Sequence, residues 1–203
     1  MKLSGRPACY TGVDVDAGGE VGNEAGGPAP LSRRLAEGDP AAPRELVERH
    51  RAELFRYSRA LLGDPEAAED AVQEAFSRAF AALGGYSEER IGSLSLRPWL
   101  YRITLNVVRN VWRDGGRERP VPKAPSSPDG ARDGVRDEAW MDALDALAKL
   151  PERQRVAVAL RYLEDLPYAG VAAATGWPEN TCKTLVRRGI GRLGTLLADD
   201  FSR

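Results

Sequence analysis

Apolar residues recur at helical spacing along most of this 203-residue chain, and the places where that rhythm breaks divide it into parts. Leu46, Val47, His50, Leu54, Tyr57, Leu61 and Leu62 share one face of a helix that the pattern ends at Gly63. Asp64-Pro65-Glu66 restarts it, with Asp as N-cap, Pro at the first helical position and an acid in the first turn. Ala68, Val72, Phe76, Phe80 and Leu83 continue the apolar face and leave Asp70, Gln73, Glu74 and Ser77 on the far side. Gly84 to about Arg97 reads as a loop, and Pro98 opens the next helix. That helix has two opposed stripes. Leu100, Ile103, Val107 and Val111 form an apolar one; Arg102, Asn106, Arg109 and Arg113 form a polar one, with Trp99 a turn ahead of it.

Two stretches lack any periodicity. Residues 1–30 are rich in Gly, Ala, Pro and Glu with almost no large apolar side chain, and cannot bury enough surface to offset the entropy of ordering; they are expected to be a disordered tail. Residues 115–136 combine Pro, Gly, Ser and charge, the composition of a flexible linker. Beyond it Trp140, Leu144 and Leu147 begin a second helical unit, which Pro151 interrupts and Val156, Leu160 and Leu163 continue. Tyr168 to Thr175 is a short helix, Gly176 and Trp177 a turn, and Pro178 to about Ala198 a longer helix with Cys182, Leu185, Val186, Leu193 and Leu197 inward. Short helix, glycine turn and long basic helix make a helix-turn-helix pattern. The expected fold is all-α: two small helical domains, 31–114 and 137–203, joined by a flexible linker, the second with a helix-turn-helix.

Composition agrees with thin-cored helical domains, since 29% of residues are charged and only 7% aromatic. The net charge of -1 says nothing about a polyanionic partner, but its distribution does. Six arginines against two acids lie between Arg97 and Arg119, whereas Asp64 to Glu74 holds five acids and no base. Separate blocks of opposite sign fit separate surfaces for separate partners. Cys9 and Cys182 are too few and too distant in sequence for a disulfide framework or metal site, and His50 is the only histidine. A reducing, cytoplasmic compartment fits. The sequence contains no run of about 18 apolar residues and no signal-peptide core, so membrane insertion and export are not expected.

The polar stripe from Trp99 suits nucleic acid. Guanidinium groups fork onto phosphates, amides pair with base edges, and an aromatic offers a stacking surface for an unpaired base, although Trp99 could equally be plain core. No metal-ligand or acid/base constellation accompanies it, which speaks against a nuclease, a small-molecule substrate or any cofactor. A helix-turn-helix regulator acting on duplex DNA without polymerase remains a second reading.

Three segments together resemble a known family: DAVQEAFSRAFAAL from Asp70, WLYRITLNVVRN from Trp99, and LPERQRVAVALRYLEDLPY from Leu150, in this order across a polar linker. They resemble the bacterial sigma factors of the sigma-70 family, in particular the small extracytoplasmic-function group, over about Leu31 to Leu197. The resemblance implies an initiation factor without catalysis. Its first domain, region two, would bind core RNA polymerase and melt and read the minus-10 element; its second, region four, would read the minus-35 element. Asp70, Gln73 and Glu74 match the segment that grips a coiled coil of the polymerase. Trp99, Arg102, Asn106 and Arg109, with Arg113 extending the stripe, match the helix on minus-10 DNA. The loop Tyr86 to Leu96 would hold a flipped-out base, whose unstacking costs a few kcal/mol. Lys183, Thr184, Arg187 and Arg188 match the recognition helix. Members of this group usually also have an anti-sigma factor.

This sequence departs from the family in places. Gly170 stands where an acid is usual, Asn180-Thr-Cys-Lys replaces the more common Gly-Thr-Val-Lys, basic residues are missing near Leu185 and Ile190, and the loop before Trp99 is a few residues longer. Cys182 takes the place of a buried aliphatic. Gly189 and Gly191, inside the recognition helix, are each expected to cost about 1 kcal/mol of helix propensity relative to alanine. A linker of about 22 residues could span roughly 70 Å when extended, which lets two domains sit on separate promoter elements.

Overall fold

The computed structural model describes residues 29–115, 140 and 143–200. The tail and nearly all of the linker expected from the sequence therefore lie outside the described residues. Among the described residues every regular element is helical, and the order is α1 (Leu31–Ala36), α2 (Ala42–Leu62), α3 (Pro65–Leu83), α4 (Glu88–Gly92), α5 (Leu96–Gly115), α6 (143–148), α7 (Glu152–Val158), α8 (Tyr168–Thr175) and α9 (Glu179–Asp200). A π-helical turn, Ala159–Leu163, continues α7.

The punctuation works as its chemistry requires. α2 ends where Gly63 enters the left-handed region at φ 79° and its N–H reaches the Arg59 carbonyl. The next residue, Asp64, is extended and its carboxylate accepts from the Glu66 N–H at 3.2 Å, capping α3 with Pro65 in the first turn. Leu46, Leu54, Tyr57 and Leu61 of α2 are buried against Val72, Phe76 and Ala79 of α3.

α4 and α5 correct the expected loop. The stretch from Gly84 contains a short helix, α4, capped by the Ser87 hydroxyl on the Arg90 N–H, and α5 begins at Leu96, two residues ahead of Pro98. Pro98 falls in the first turn, where its missing N–H would have had no helical partner. α5 also buries far more than one stripe. Leu100 and Val107 are covered as expected, but so are Tyr101, Leu105 and Val108 on other sides, while Val111 is 40% exposed. The reason is tertiary: α5 is wedged between α2 and α3 on one side and α8 on another.

In the second domain Pro151 precedes α7, and Gly176 closes α8 at φ 74° with its N–H on the Ala172 carbonyl at 2.8 Å. Thr175 then accepts from the Trp177 N–H at 3.3 Å, fixing the turn into α9. Cys182 is fully buried, as an aliphatic substitute should be. The two glycines of α9 are not equivalent. A Cβ on Gly191 would meet open space, but one on Gly189 would come within 2.5 Å of the Val158 Cγ2 atom. Gly189 is therefore a close-approach residue that lets α9 lie against α7, rather than only a weak point in the helix.

The two domains share one apolar core. Tyr57, Leu61, Tyr101 and Leu105 of the first and Leu160, Leu166, Val171 and Ala174 of the second belong to a single buried cluster.

Candidate nucleic-acid interface

The acidic face stands clear of this core. Ala71, Val72, Ala75 and Phe76 are buried, so the helical period turns Asp70, Gln73 and Glu74 outward, and all three are exposed. Glu74 is bridged at 2.7 Å to Arg78 one turn on, a solvent-exposed pair that constrains it little.

The polar stripe of α5 meets three different environments. Trp99 is half-buried, packed on the core and 6.3 Å from the Tyr86 ring at an interplanar angle of 58°, and the Arg90 guanidinium lies 3.9 Å from the Tyr86 centroid. Tyr86, Arg90 and Trp99 thus gather two aromatic rings and a cation near the start of α5, side-chain types that can hold an unstacked base. At the other end Arg109 and Arg113 are exposed, and Arg113 donates to the Asn110 side chain at 2.7 Å. Arg102 and Asn106 between them are half-buried. Arg102 Nε donates to the Ala173 carbonyl of α8 at 2.9 Å, and Arg109 sits 5.9 Å over the Trp177 ring. The middle of the stripe thus faces the second domain.

On α9 the basic residues are open. Lys183, Arg187 and Arg188 are exposed and Thr184 is half-exposed. Asn180, Lys183, Thr184 and Arg187 line one shallow groove, and Arg153 joins Asn180, Thr184 and Arg188 along a second. Lys183 is bridged to Glu179 at 2.7 Å, which holds its ammonium above the ordinary lysine range, and Thr184 returns a hydrogen bond to the Asn180 carbonyl at 2.9 Å. A row of cations one turn apart, preceded by a short helix and a left-handed glycine, can lie along phosphates in a major groove.

The cluster around Glu164 was invisible in sequence. The π turn carries this side chain across to the first domain, where it is 1% exposed. Its Oε2 accepts from Tyr101 Oη at 2.6 Å and from Arg56 Nη2 at 3.0 Å, while its backbone carbonyl accepts from Arg97 Nη2 at 2.5 Å. Arg97 also donates to Glu53 at 2.8 Å, and Glu53 in turn pairs with buried His50. Burial pushes the Glu164 carboxyl above its ordinary range, more than Tyr101 and Arg56 pull it down. Glu53 goes the other way: burial would raise it, but hydrogen bonds from His50 and Arg97 outweigh that and leave it lowered. Burial and the neighbouring Glu164 raise the Tyr101 phenol well above its usual value, so it stays a donor. A second tie runs from Arg155 to the Leu61 carbonyl at 3.0 Å and the Leu150 carbonyl at 3.1 Å. Tyr101, Arg97 and Arg56 lie 63 to 108 residues from Glu164 in sequence, so no local spacing could have exposed the cluster. Among the described residues no group of His, Cys, Asp and Glu could hold a metal ion, and no helix is long and apolar enough to cross a membrane.

Comparison with known proteins decides what this arrangement belongs to. The family model for sigma-70 region 2 matches residues 46–118, and that for sigma-70 region 4 matches residues 140–193. The chain is 31% identical over 151 residues to the RNA polymerase sigma-E factor of Streptomyces coelicolor, covering 73% of this chain and 82% of that one. It is 32% identical over 179 residues to the ECF RNA polymerase sigma factor SigE of Mycolicibacterium smegmatis, covering 82% and 67%. The chain is an extracytoplasmic-function sigma factor of the sigma-70 family. A solved structure of the sigma factor RpoE with the anti-sigma factor NepR from Bartonella quintana matches this sigma factor with a TM-score of 0.60 at 25% identity, over 76% of this chain and 98% of that one. Sigma factors are the subunits through which RNA polymerase selects promoters, and promoter-specific initiation is the function of this one. The two matched regions fall on α2–α5 and on the helices from Trp140 into α9, the same halves that carry the α5 stripe and the basic helix.

Proposed function

We propose the following division of labour on the polymerase holoenzyme. The first domain, 31–114, docks on core RNA polymerase through Asp70, Gln73 and Glu74 of α3. An exposed acidic stripe backed by a rigid buried face suits a basic partner helix. Trp99, Arg102, Asn106, Arg109 and Arg113 of α5 engage the minus-10 element, with Tyr86 and Arg90 completing the platform for an extruded base. The second domain, 137–203, reads the minus-35 element through Lys183, Thr184, Arg187 and Arg188. The exposure of the α9 cations behind the Gly176 turn is the observation that carries this reading, because a buried row could not follow phosphates, and the solvent-exposed Lys183–Glu179 pair can be exchanged for a phosphate contact. The factor works by binding alone, in the cytoplasm where polymerase and chromosome meet, and an anti-sigma factor restrains it, as NepR accompanies the RpoE structure.

Run-off transcription with purified core polymerase on a library of promoter fragments tests the proposal. Expected is sequence-selective product that appears only with this chain, together with co-purification of chain and core. Binding to duplex DNA without any association with core would replace the proposal by a polymerase-independent regulator.

A further inference from the structure

The basic face of α9 has a neutral centre. At about 100° per residue, Thr184 lies about 40° round the helix from Asn180, with Lys183 about 60° to one side of Asn180 and Arg188 about 80° to the other. The two shallow grooves of this face divide in the same way. Lys183 and Arg187 line one, Arg153 and Arg188 line the other, and Asn180 and Thr184 line both, so they form the ridge between. Arg153 comes from α7, is exposed, and sits 4.7 Å from the centroid of the Trp177 ring, which places a cation from outside α9 on that flank.

The ridge residues differ in what they have left to offer. Thr184 spends its hydroxyl hydrogen on the Asn180 carbonyl at 2.9 Å. The Asn180 side chain is exposed and, among the described residues, hydrogen-bonds to nothing. It stands in the first turn of α9, the part of a recognition helix that contacts base edges. Its carboxamide carries a donor and an acceptor side by side, the complement of the N7 acceptor and N6 donor that adenine presents in the major groove. Guanine presents two acceptors there, cytosine a donor alone, and thymine an acceptor beside a methyl. We propose that Asn180 reads an adenine in the minus-35 element, with the cations on either flank, Arg153 among them, on the bordering phosphates. The inference rests on the assignment of α9 to minus-35 DNA. It divides the face into flanks that set affinity and salt dependence and a centre that sets sequence. A glycine, the more common residue at this position in the family, would keep the flanks and lack the amide, so this adenine is a preference of this chain.

Holoenzyme reconstituted with the full chain, bound to duplex promoter fragments randomised across the minus-35 element and then sequenced, tests this at each base pair. Expected is one adenine position at which the parent discriminates by about fivefold to a hundredfold and Asn180→Ala does not, at unchanged helicity. Replacing that adenine by the analogue with carbon in place of N7 should weaken the parent and leave Asn180→Ala unaffected. Arg153→Ala should weaken binding evenly across sequences and lower the salt slope by about 0.9, one phosphate's worth. A sequence profile unchanged by Asn180→Ala, or a loss spread evenly over all sequences, would overturn the base-reading role. A sequence-dependent loss in Arg153→Ala at an unchanged salt slope would overturn its place on the phosphate flank. If Arg187→Ala/Arg188→Ala holoenzyme binds as tightly and as selectively as the parent, α9 does not read minus-35 DNA, and the inference falls with that assignment.

Discussion

Substituting alanine at the two glycines of α9 should move stability in opposite directions, although intrinsic helix propensity treats the positions alike. At Gly191 the new Cβ meets nothing within 4 Å, so Gly191→Ala should gain the full propensity difference of about 1 kcal/mol. For a chain of this size that raises the thermal midpoint by roughly 2–4 °C. At Gly189 the same gain is opposed by a 2.5 Å approach to Val158 Cγ2. Val158 is 3% exposed and β-branched, so its χ1 has little freedom in a helix and the overlap must be relieved by backbone movement. Overpacking of this kind costs about 1–3 kcal/mol, which outweighs propensity and leaves Gly189→Ala destabilised by about 1 kcal/mol. Thermal and urea melts of the three proteins measure this. The cycle with Val158→Ala isolates the cause, because removing both γ methyls, Cγ2 among them, should turn Gly189→Ala neutral or stabilising, a coupling of about 1–2 kcal/mol. A midpoint raised as much by Gly189→Ala as by Gly191→Ala would refute the close-approach argument, as would an additive cycle.

Three further outcomes are expected. Reversing Asp70 and Glu74 to Lys should abolish holoenzyme assembly in a pull-down at unchanged helicity, since both side chains point away from the core; undiminished capture of core polymerase contradicts the acidic-face assignment. Arg102→Ala/Arg109→Ala should eliminate permanganate reactivity of the melted region. By contrast, Arg187→Ala/Arg188→Ala should weaken promoter binding and flatten its salt dependence by up to about two phosphates' worth of slope, at about 0.9 each, yet leave melting on promoters with a good minus-10 element. Closure, the packing of the two domains against each other, should also depend on pH. Glu164 faces Arg56, Glu53 and Tyr57 from α2 and Tyr101 and Arg97 from α5, and its carboxyl is raised only while buried among them. The closed form therefore binds the proton more tightly, so this contribution to closure is full below the ordinary carboxylate range and is lost as pH rises through the raised value. Glu53 is lowered by His50 and Arg97 of its own domain, so it shifts little on opening. Energy transfer between dyes placed on the two domains should fall as pH rises, by at most tenfold in the equilibrium per pH unit, and an increase would contradict the sign.

What was legible in the sequence is what short-range chemistry decides. Gly63, Asp64 and Pro65 end one helix and start the next through interactions reaching no more than four residues, and they stand where the pattern put them. Tyr168–Thr175, Gly176 and the long helix after it follow for the same reason. Asp70, Gln73 and Glu74 needed only the helical period of one well-defined apolar face to be placed outside. α4 escaped because its five residues are too few for periodicity, and its signal was a Ser87 cap followed by Glu88 and Glu89.

The remainder depended on contacts that helical spacing cannot encode. Reading α5 as one apolar and one polar stripe presumes a helix with a single neighbour, whereas this helix has neighbours on several sides and so buries Tyr101, Leu105 and Val108 as well. Its arginines looked uniform in sequence because each is the same residue at a regular interval. The second domain makes them different by covering Arg102 and leaving Arg113 outside. Glu164 makes the same point from the opposite direction. In LRYLEDLPY it sits among apolar and charged neighbours like any surface acid, and only the π turn after α7, one residue out of helical phase, aims it inward. A π turn puts a side chain where the regular helix would not, and here it puts a carboxylate against two donors of another domain, Arg56 and Tyr101, and its own backbone carbonyl against a third, Arg97. The property that makes the two halves one body in this conformation is thus held in the one stretch of α7 that abandons the period by which the sequence was read.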